Sequence, residues 1–198
     1  QYIMFHNVTS TKCKITTGCV SGFHVGPTLI FIVREWYINL KHIKISCVWG
    51  VFLSQYDTIV LSYLNFCNIV WVNNKTTRLQ PLVLLQKRAM RLITTSAHNA
   101  HTIPLFSKLN RLTLVDMNKL LIATFMYRSH TKSLPNIFSG YFCSNASIHG
   151  HFTRNSSKLH ISHARTDVRR FQIRIYGPKL WNSIDPAIIN KSFNWRAF

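Results

Sequence analysis

Apolar and polar positions change period along the chain, and the clearest period is helical. "TLVDMNKLLIATFMYRSH" (113–130) opens with Thr113 and Asp116 at the spacing of a capping box, then runs apolar at Met117, Leu120, Leu121 and Phe125. A threonine hydroxyl serves the unbonded N–H groups of a first turn, and an aspartate suits the positive helix end, so this segment predicts a helix that is over by Pro135. Residues 82–93 predict a second helix. There Lys87, Arg88 and Arg91 fall within one sector about 100° wide, interrupted only by Leu84, with apolar residues nearly everywhere else.

Weaker signals flank these two. Gly26 and Pro27 can open a helix with proline in its first turn and "TLIFIV" as its buried part. Residues 45–72, almost uncharged and rich in aromatics, predict a buried helix, and "VNNKTT" (72–77) predicts a loop. Residues 1–18 alternate loosely and suggest two short strands around the polar turn "NVTSTKCK". Late in the chain the period becomes two. "FQIRIYGPKLW" (171–181) places Phe171, Ile173 and Ile175 on one face and Gln172, Arg174 and Tyr176 on the other, the pattern of a half-buried strand before a Gly-Pro turn. The expected fold class is therefore α+β, helices first and short β-strands late. No internal repeat or low-complexity tract interrupts it.

Charge changes the picture. The chain has 198 residues, 47% of them hydrophobic, enough for one domain with a real core or for two small ones. Against 24 Lys plus Arg stand 5 acidic residues, a net charge of +19. Residues 1–74 hold 5 cations and 2 acids, and residues 75–198 hold 19 and 3, so the two parts carry +3 and +16. Self-repulsion of this size is relieved by a polyanion; nucleic acid leads, and an anionic membrane surface follows.

Five cysteines (Cys13, Cys19, Cys47, Cys67, Cys143), an odd count with no CxxC pair, write neither a disulfide framework nor a zinc knuckle. A reducing, intracellular setting, cytoplasm or nucleus, is the default. "QYIMFHNVTS" has no signal-peptide layout and reads as a cut edge. "PTLIFIV" and "TIVLSYL" are stopped by charged or polar residues short of the roughly 20 apolar residues a membrane helix needs, so no transmembrane helix is expected.

Three blocks now carry a resemblance. "LSYLNFCNIVWVNNKTTRLQPLVLLQKRAMRLIT", "HTIPLFSKLNRLTLVDMNKLLIATFMY" and "FTRNSSKLHISHARTDVRRFQIRIYGPKLWNSIDPAI" resemble, in that order, the region after the polymerase palm in reverse transcriptases of jockey-like and CR1-like non-LTR retrotransposons. "ITTGCVSGFHVGPTLIFIV" with "YINL" is similar to the family's palm segment TGVPQGSxLGPxLFxIYINDL, with Thr17, Gly18, Gly22, Gly26, Pro27 and Leu29 on matching positions. The resemblance implies a degenerate palm segment at 1–44, an apolar junction helix at 45–74 and a basic, mainly helical, thumb-like region at 75–198.

The departures are as specific as the matches. Val20 and Ser21 stand where the family has Pro and Gln, "REW" (34–36) looks inserted, and Leu40 replaces an Asp. The FADD or YADD turn that follows the palm helix is missing. Such polymerases clamp two metal ions with clustered aspartates, whereas Glu35, Asp57, Asp116, Asp167 and Asp185 are isolated here. The family implies RNA-directed DNA synthesis with Mg²⁺ for an intact enzyme. For this chain the expectation is no catalytic residue, no metal and no cofactor of its own, and at most binding of RNA or DNA.

The candidate nucleic-acid contacts are Lys87, Arg88 and Arg91 on the first basic helix, Arg154 in "FTRNSSK", and Arg169, Arg170 and Arg174 in the late basic run. Each cluster has a second reading as a solvated face, and both readings stand. His98 and His101, and likewise His149 and His151, have spacings that fit zinc but no second pair at knuckle distance, so loop or nucleic-acid contacts are favoured. Trp181 matches a family hallmark and reads as core before it reads as a stacking platform. A stand-alone basic RNA- or DNA-binding module without enzymatic ancestry, or a pseudogene product without function, are the alternatives.

Overall fold

Helices account for nearly all the regular structure in the computed structural model, which describes residues 4–5, 8–9, 30–39, 49–148, 153–185, 187 and 189. Helix α1 (residues 30–39) buries Val33 and Trp36, three positions apart on one face. Helix α2 (Trp49–Gln55) runs through a π-helical stretch (Tyr56–Leu61) directly into α3 (Ser62–Asn65). Tyr56, Val60 and Leu64, spaced by four, are fully buried. In the wider turn the hydroxyls of Thr58 and Ser62 donate back to the carbonyls of Ser54 (2.9 Å) and Thr58 (2.6 Å).

The helix stops at Cys67, whose backbone is left-handed (φ 48°). Two side chains take the carbonyls this break exposes. Asn68 Nδ2 donates to Leu64 O at 2.7 Å, and Trp71 Nε1 to Phe66 O at 2.7 Å, which leads into the short α4 (Asn68–Trp71).

Helix α5 (Thr76–Ile93) buries Leu82, Leu85, Gln86, Ala89, Met90 and Ile93, an i, i+3, i+4 face. It starts at Thr76 rather than Leu82, with Pro81 inside it on an exposed position. Proline lacks the N–H that would reach the Thr77 carbonyl, but it leaves the buried face intact. After α6 (Thr102–Lys108) comes α7 (Leu114–His130), capped as expected: Thr113 Oγ1 accepts from the Asp116 N–H at 3.2 Å and donates to the Asp116 carboxylate at 2.7 Å.

Helices α1 to α6 and the start of α7 share one apolar core, which a buried amide ties together. Gln86 Nε2 donates to the Tyr56 hydroxyl (3.0 Å) and to Leu112 O (3.3 Å), while its Oε1 accepts from Leu114 N (2.9 Å), an N–H that the first turn of α7 cannot satisfy itself. Asn118 Nδ2 donates to Asn68 Oδ1 at 2.9 Å in the same interior. At its edge Arg111 grips Asp57 through two parallel hydrogen bonds, Nε to Oδ1 at 2.8 Å and Nη2 to Oδ2.

A second, smaller core forms where Ile122 and Met126 of α7 meet Trp181 of α10 (Ile173–Trp181), after a 3₁₀ turn (Asn136–Phe138), α8 (Asn145–Ile148) and α9 (Asp167–Arg170). Gly177 lets α10 approach α7: a Cβ there would lie 2.7 Å from Met126 Sδ. Beyond α10, Asn182 acts as a strand partner for Leu159, accepting from its N–H at 3.0 Å and donating to its carbonyl at 2.9 Å.

The α+β expectation is corrected here. The late strand is a helix, because Ile173, Tyr176, Leu180, Trp181 and Ile184 all pack on the second core and follow a 3.6-residue period. The alternation at 171–176 is a short coincidence within that longer pattern. Gly177 and Pro178 lie inside the helix, both buried, rather than in a turn. Strand structure among the described residues is confined to the antiparallel pair Met4–Phe5 and Val8–Thr9 (Met4 opposite Thr9) and an isolated bridge between Ser144 and Leu159. Val8 and Thr9 fall inside the stretch expected to be a turn.

The palm-like matches Thr17, Gly18, Gly22, Gly26, Pro27 and Leu29, the departures Val20, Ser21 and Leu40, and Cys13, Cys19, Cys47, His149 and His151 lie outside the described residues. No described helix is long and apolar enough to cross a membrane.

Candidate nucleic-acid interface

Three of the four cations of α5, Lys87, Arg88 and Arg91, sit on its second half, where the helix ends and the chain turns back, and Arg78 lies in its first turn. Thr95 is left-handed (φ 51°), and Ser96 N donates to Arg91 O at 2.9 Å, closing the last turn in the manner of a Schellman motif. This reversal lays residues 96–100 alongside the helix. Arg91 fixes the arrangement by donating from Nε to Ala100 O at 2.9 Å, which uses one of the five guanidinium N–H donors and leaves four.

A shallow, open depression of about 270 Å³ results, lined by Tyr37 of α1, by Arg88, Arg91 and Leu92 of α5, and by Thr95, Ser96 and His98 of the returning loop. Two sequence candidates, the α5 arginines and His98, thus meet in one place. Lys87 lies next to Arg88 but is not part of the lining, and His101 precedes α6 without entering it. No carboxylate is among the described residues that line the depression.

The late candidates form a separate group. Arg169 and Arg170 end α9 and Arg174 sits in the first turn of α10, all three exposed. A strand would line Arg170, Gln172 and Arg174 along one exposed face, but no strand forms here and Gln172 is the N-cap of α10. Arg174 instead lies over the ring of Tyr141, its guanidinium carbon 5.4 Å from the centroid. Tyr141 belongs to a run of edge-on aromatic contacts with Phe138, Phe142 and Phe125. Arg154 stands exposed in the turn at 153–158. Trp181 is core, at 8% exposure, with the His130 ring 5.8 Å from its own.

Three of the five carboxylates are engaged elsewhere and do not suit the Mg²⁺ that the resemblance implies for an intact enzyme. Asp57 is occupied by Arg111, Asp116 by the α7 cap and Lys119 (3.6 Å), and Asp185 by the Ala187 N–H (2.9 Å). No group of three or more His, Cys, Asp or Glu able to hold a metal occurs among the described residues. The perturbed titrations are structural too: burial pushes the Tyr56 hydroxyl up to about 12, and the hydrogen bond to Asp57 holds Arg111 further in its charged form.

Tyr37 and Tyr141 are the functional candidates that sequence reasoning missed. Neither sits in a basic run; each meets its arginine across a chain separation of more than thirty residues, so only the folded arrangement pairs them. No protein-family profile, curated protein or solved structure matches the chain.

Proposed function

We propose that this protein binds the sugar-phosphate backbone of RNA or DNA through its basic back half, as a remnant of a non-LTR retrotransposon RNA-directed DNA polymerase that has lost its catalytic turn. The observation that carries the reading is the α5 cluster. Arg88 and Arg91 share a depression whose described lining holds no carboxylate, in the part of the chain that holds 19 cations against 3 acids. The resemblance of the three post-palm blocks supports the ancestry, and the dispersal of the five carboxylates along the sequence supports binding without polymerisation.

Counterion release supplies the test. Each cation on a phosphate contributes about −0.9 to the slope of log affinity against log salt on duplex, or about −0.7 on a single strand. Changing Lys87, Arg88 and Arg91 together to Gln flattens that slope by roughly 2 to 3 units. Glutamine keeps helix propensity near that of Lys and Arg, so α5 survives the change. Backbone contacts read no bases, so unrelated sequences lose affinity alike. A slope unchanged by the triple substitution returns these residues to an ordinary solvated helix face.

A further inference from the structure

The depression at the end of α5 contains more than cations. Its lining divides by chemistry: Tyr37 and Leu92 offer apolar surface, Arg88, Arg91 and His98 offer donors and charge, and Thr95 and Ser96 offer hydroxyls. A plain phosphate-tracking surface has no use for the first group. Within the described residues Arg88 and His98 make no hydrogen bond or ion pair, so their polar atoms are uncommitted. Ser96 keeps its hydroxyl beside Thr94 Oγ1 at 2.8 Å.

Size narrows the ligand. About 270 Å³ lies below the roughly 300–1,000 Å³ of pockets that engulf a whole small molecule, and the site is open. It suits one unit of a polymer that passes over the surface. An aromatic ring beside arginines is the arrangement by which proteins hold unpaired bases, because every base presents a π-face whatever its sequence. In a duplex those faces are stacked inside and out of reach.

We propose that this depression seats a single unpaired nucleotide of a single-stranded nucleic acid, with its phosphate on Arg88, Arg91 and His98 and its base against the ring of Tyr37. The inference rests on the backbone-binding reading above and adds a preference for single strands over duplexes. Tyr37 is half-buried and reaches the depression from α1, so α1 takes part in binding although it lies far from the basic run in sequence.

The test compares a single-stranded oligonucleotide with a duplex of the same length by fluorescence anisotropy, using the full chain. Tyr37→Leu removes the ring, and the ratio of single-strand to duplex affinity falls roughly 5- to 150-fold, the range set by one base–aromatic stack. Tyr37→Phe keeps the ring and restores the ratio. Arg88→Gln, at an exposed position and without risk to the core, weakens single-strand binding more than duplex binding, and an equal loss on both forms overturns the seat, which covers the case in which Tyr37→Leu misfolds. If the wild type binds both forms with a steep salt slope but the ratio ignores Tyr37, the nucleotide seat is wrong and backbone binding stands. If the wild type binds neither form, both readings fall.

Discussion

Residues 30–117 and residues 118–189 fold by different means. In the first region sixteen buried apolar side chains among the described residues form a continuous core, and inside it Tyr56, Gln86 and Asn68 are hydrogen-bonded, while the buried Trp36 Nε1 has no partner among the described residues. In the second, the buried apolar residues among those described are five, Ile122, Met126, Ala164, Ile175 and Trp181, of which only Ile122, Met126 and Trp181 cluster, surrounded by half-buried aromatics that meet edge to face. What positions it is a close helix contact at Gly177 and an asparagine pairing with backbone at Leu159. A buried network fixes one arrangement because any slip leaves polar atoms unpaired in a dry interior, whereas contacts at a surface can trade partners with water. The depression proposed as a nucleotide seat lies on the first region.

The sharpest way to break this contrast is Gln86→Leu. It fills similar space but strands the Tyr56 hydroxyl and the Leu114 N–H, and is expected to cost roughly 3 to 4 kcal/mol in urea unfolding. The matched change in the second region, Asn182→Leu, costs about 1 kcal/mol, since Leu159 is only half-buried and water can replace the amide. Equal costs would erase the distinction. The next effect is alkaline. Tyr56 keeps its proton to about pH 12 in the fold, while an unfolded tyrosine loses it near pH 10. Its contribution is therefore intact below pH 10 and disappears as pH rises toward 12, a loss of roughly 2 to 3 kcal/mol. Tyr56→Phe removes that limb of the stability–pH curve; a limb that persists in the variant assigns it to other groups.

The smallest effect probes the second region. Gly177→Ala gains about 1 kcal/mol of helix propensity but drives a methyl into Met126, and overpacking of that kind costs about 1 to 3 kcal/mol. A net loss of about 1 kcal/mol is expected, and it should shrink when Met126→Ala is already present. A stabilised Gly177→Ala protein would mean that α7 and α10 are not in close contact.

Legibility in the sequence followed how local the cause was. The cap of α7 needs only Thr113 and Asp116, three residues apart, and was readable. The face of α5 was readable for the same reason, though not its first turn, because Pro81 looks like a boundary and is tolerated on the exposed side. Helix α10 was misread since six residues fit period two and period 3.6 alike, and the choice is made by α7, more than forty residues earlier. The site was half legible: Arg88, Arg91 and His98 stand out as charge and spacing, but Tyr37 joins them only through the packing of α1 against α5. The pairing of Arg111 with Asp57, 54 residues apart, was hidden for the same reason.

The π-helical stretch at Tyr56–Leu61 has a genetic side. A π turn holds about one residue more than an α turn, and within this stretch Thr58 and Ile59 are exposed. An in-frame loss of one codon at either position returns the segment to ordinary α-helix and leaves Tyr56 and Leu64 on the buried side. The same loss in the α-helical part before it, between Trp49 and Gln55, turns the residues ahead of it by about 100° against the apolar stripe. Among spontaneous length variants of this gene, shortening is thus tolerated at one place in the helix, and that place is marked by the backbone rather than by any single residue.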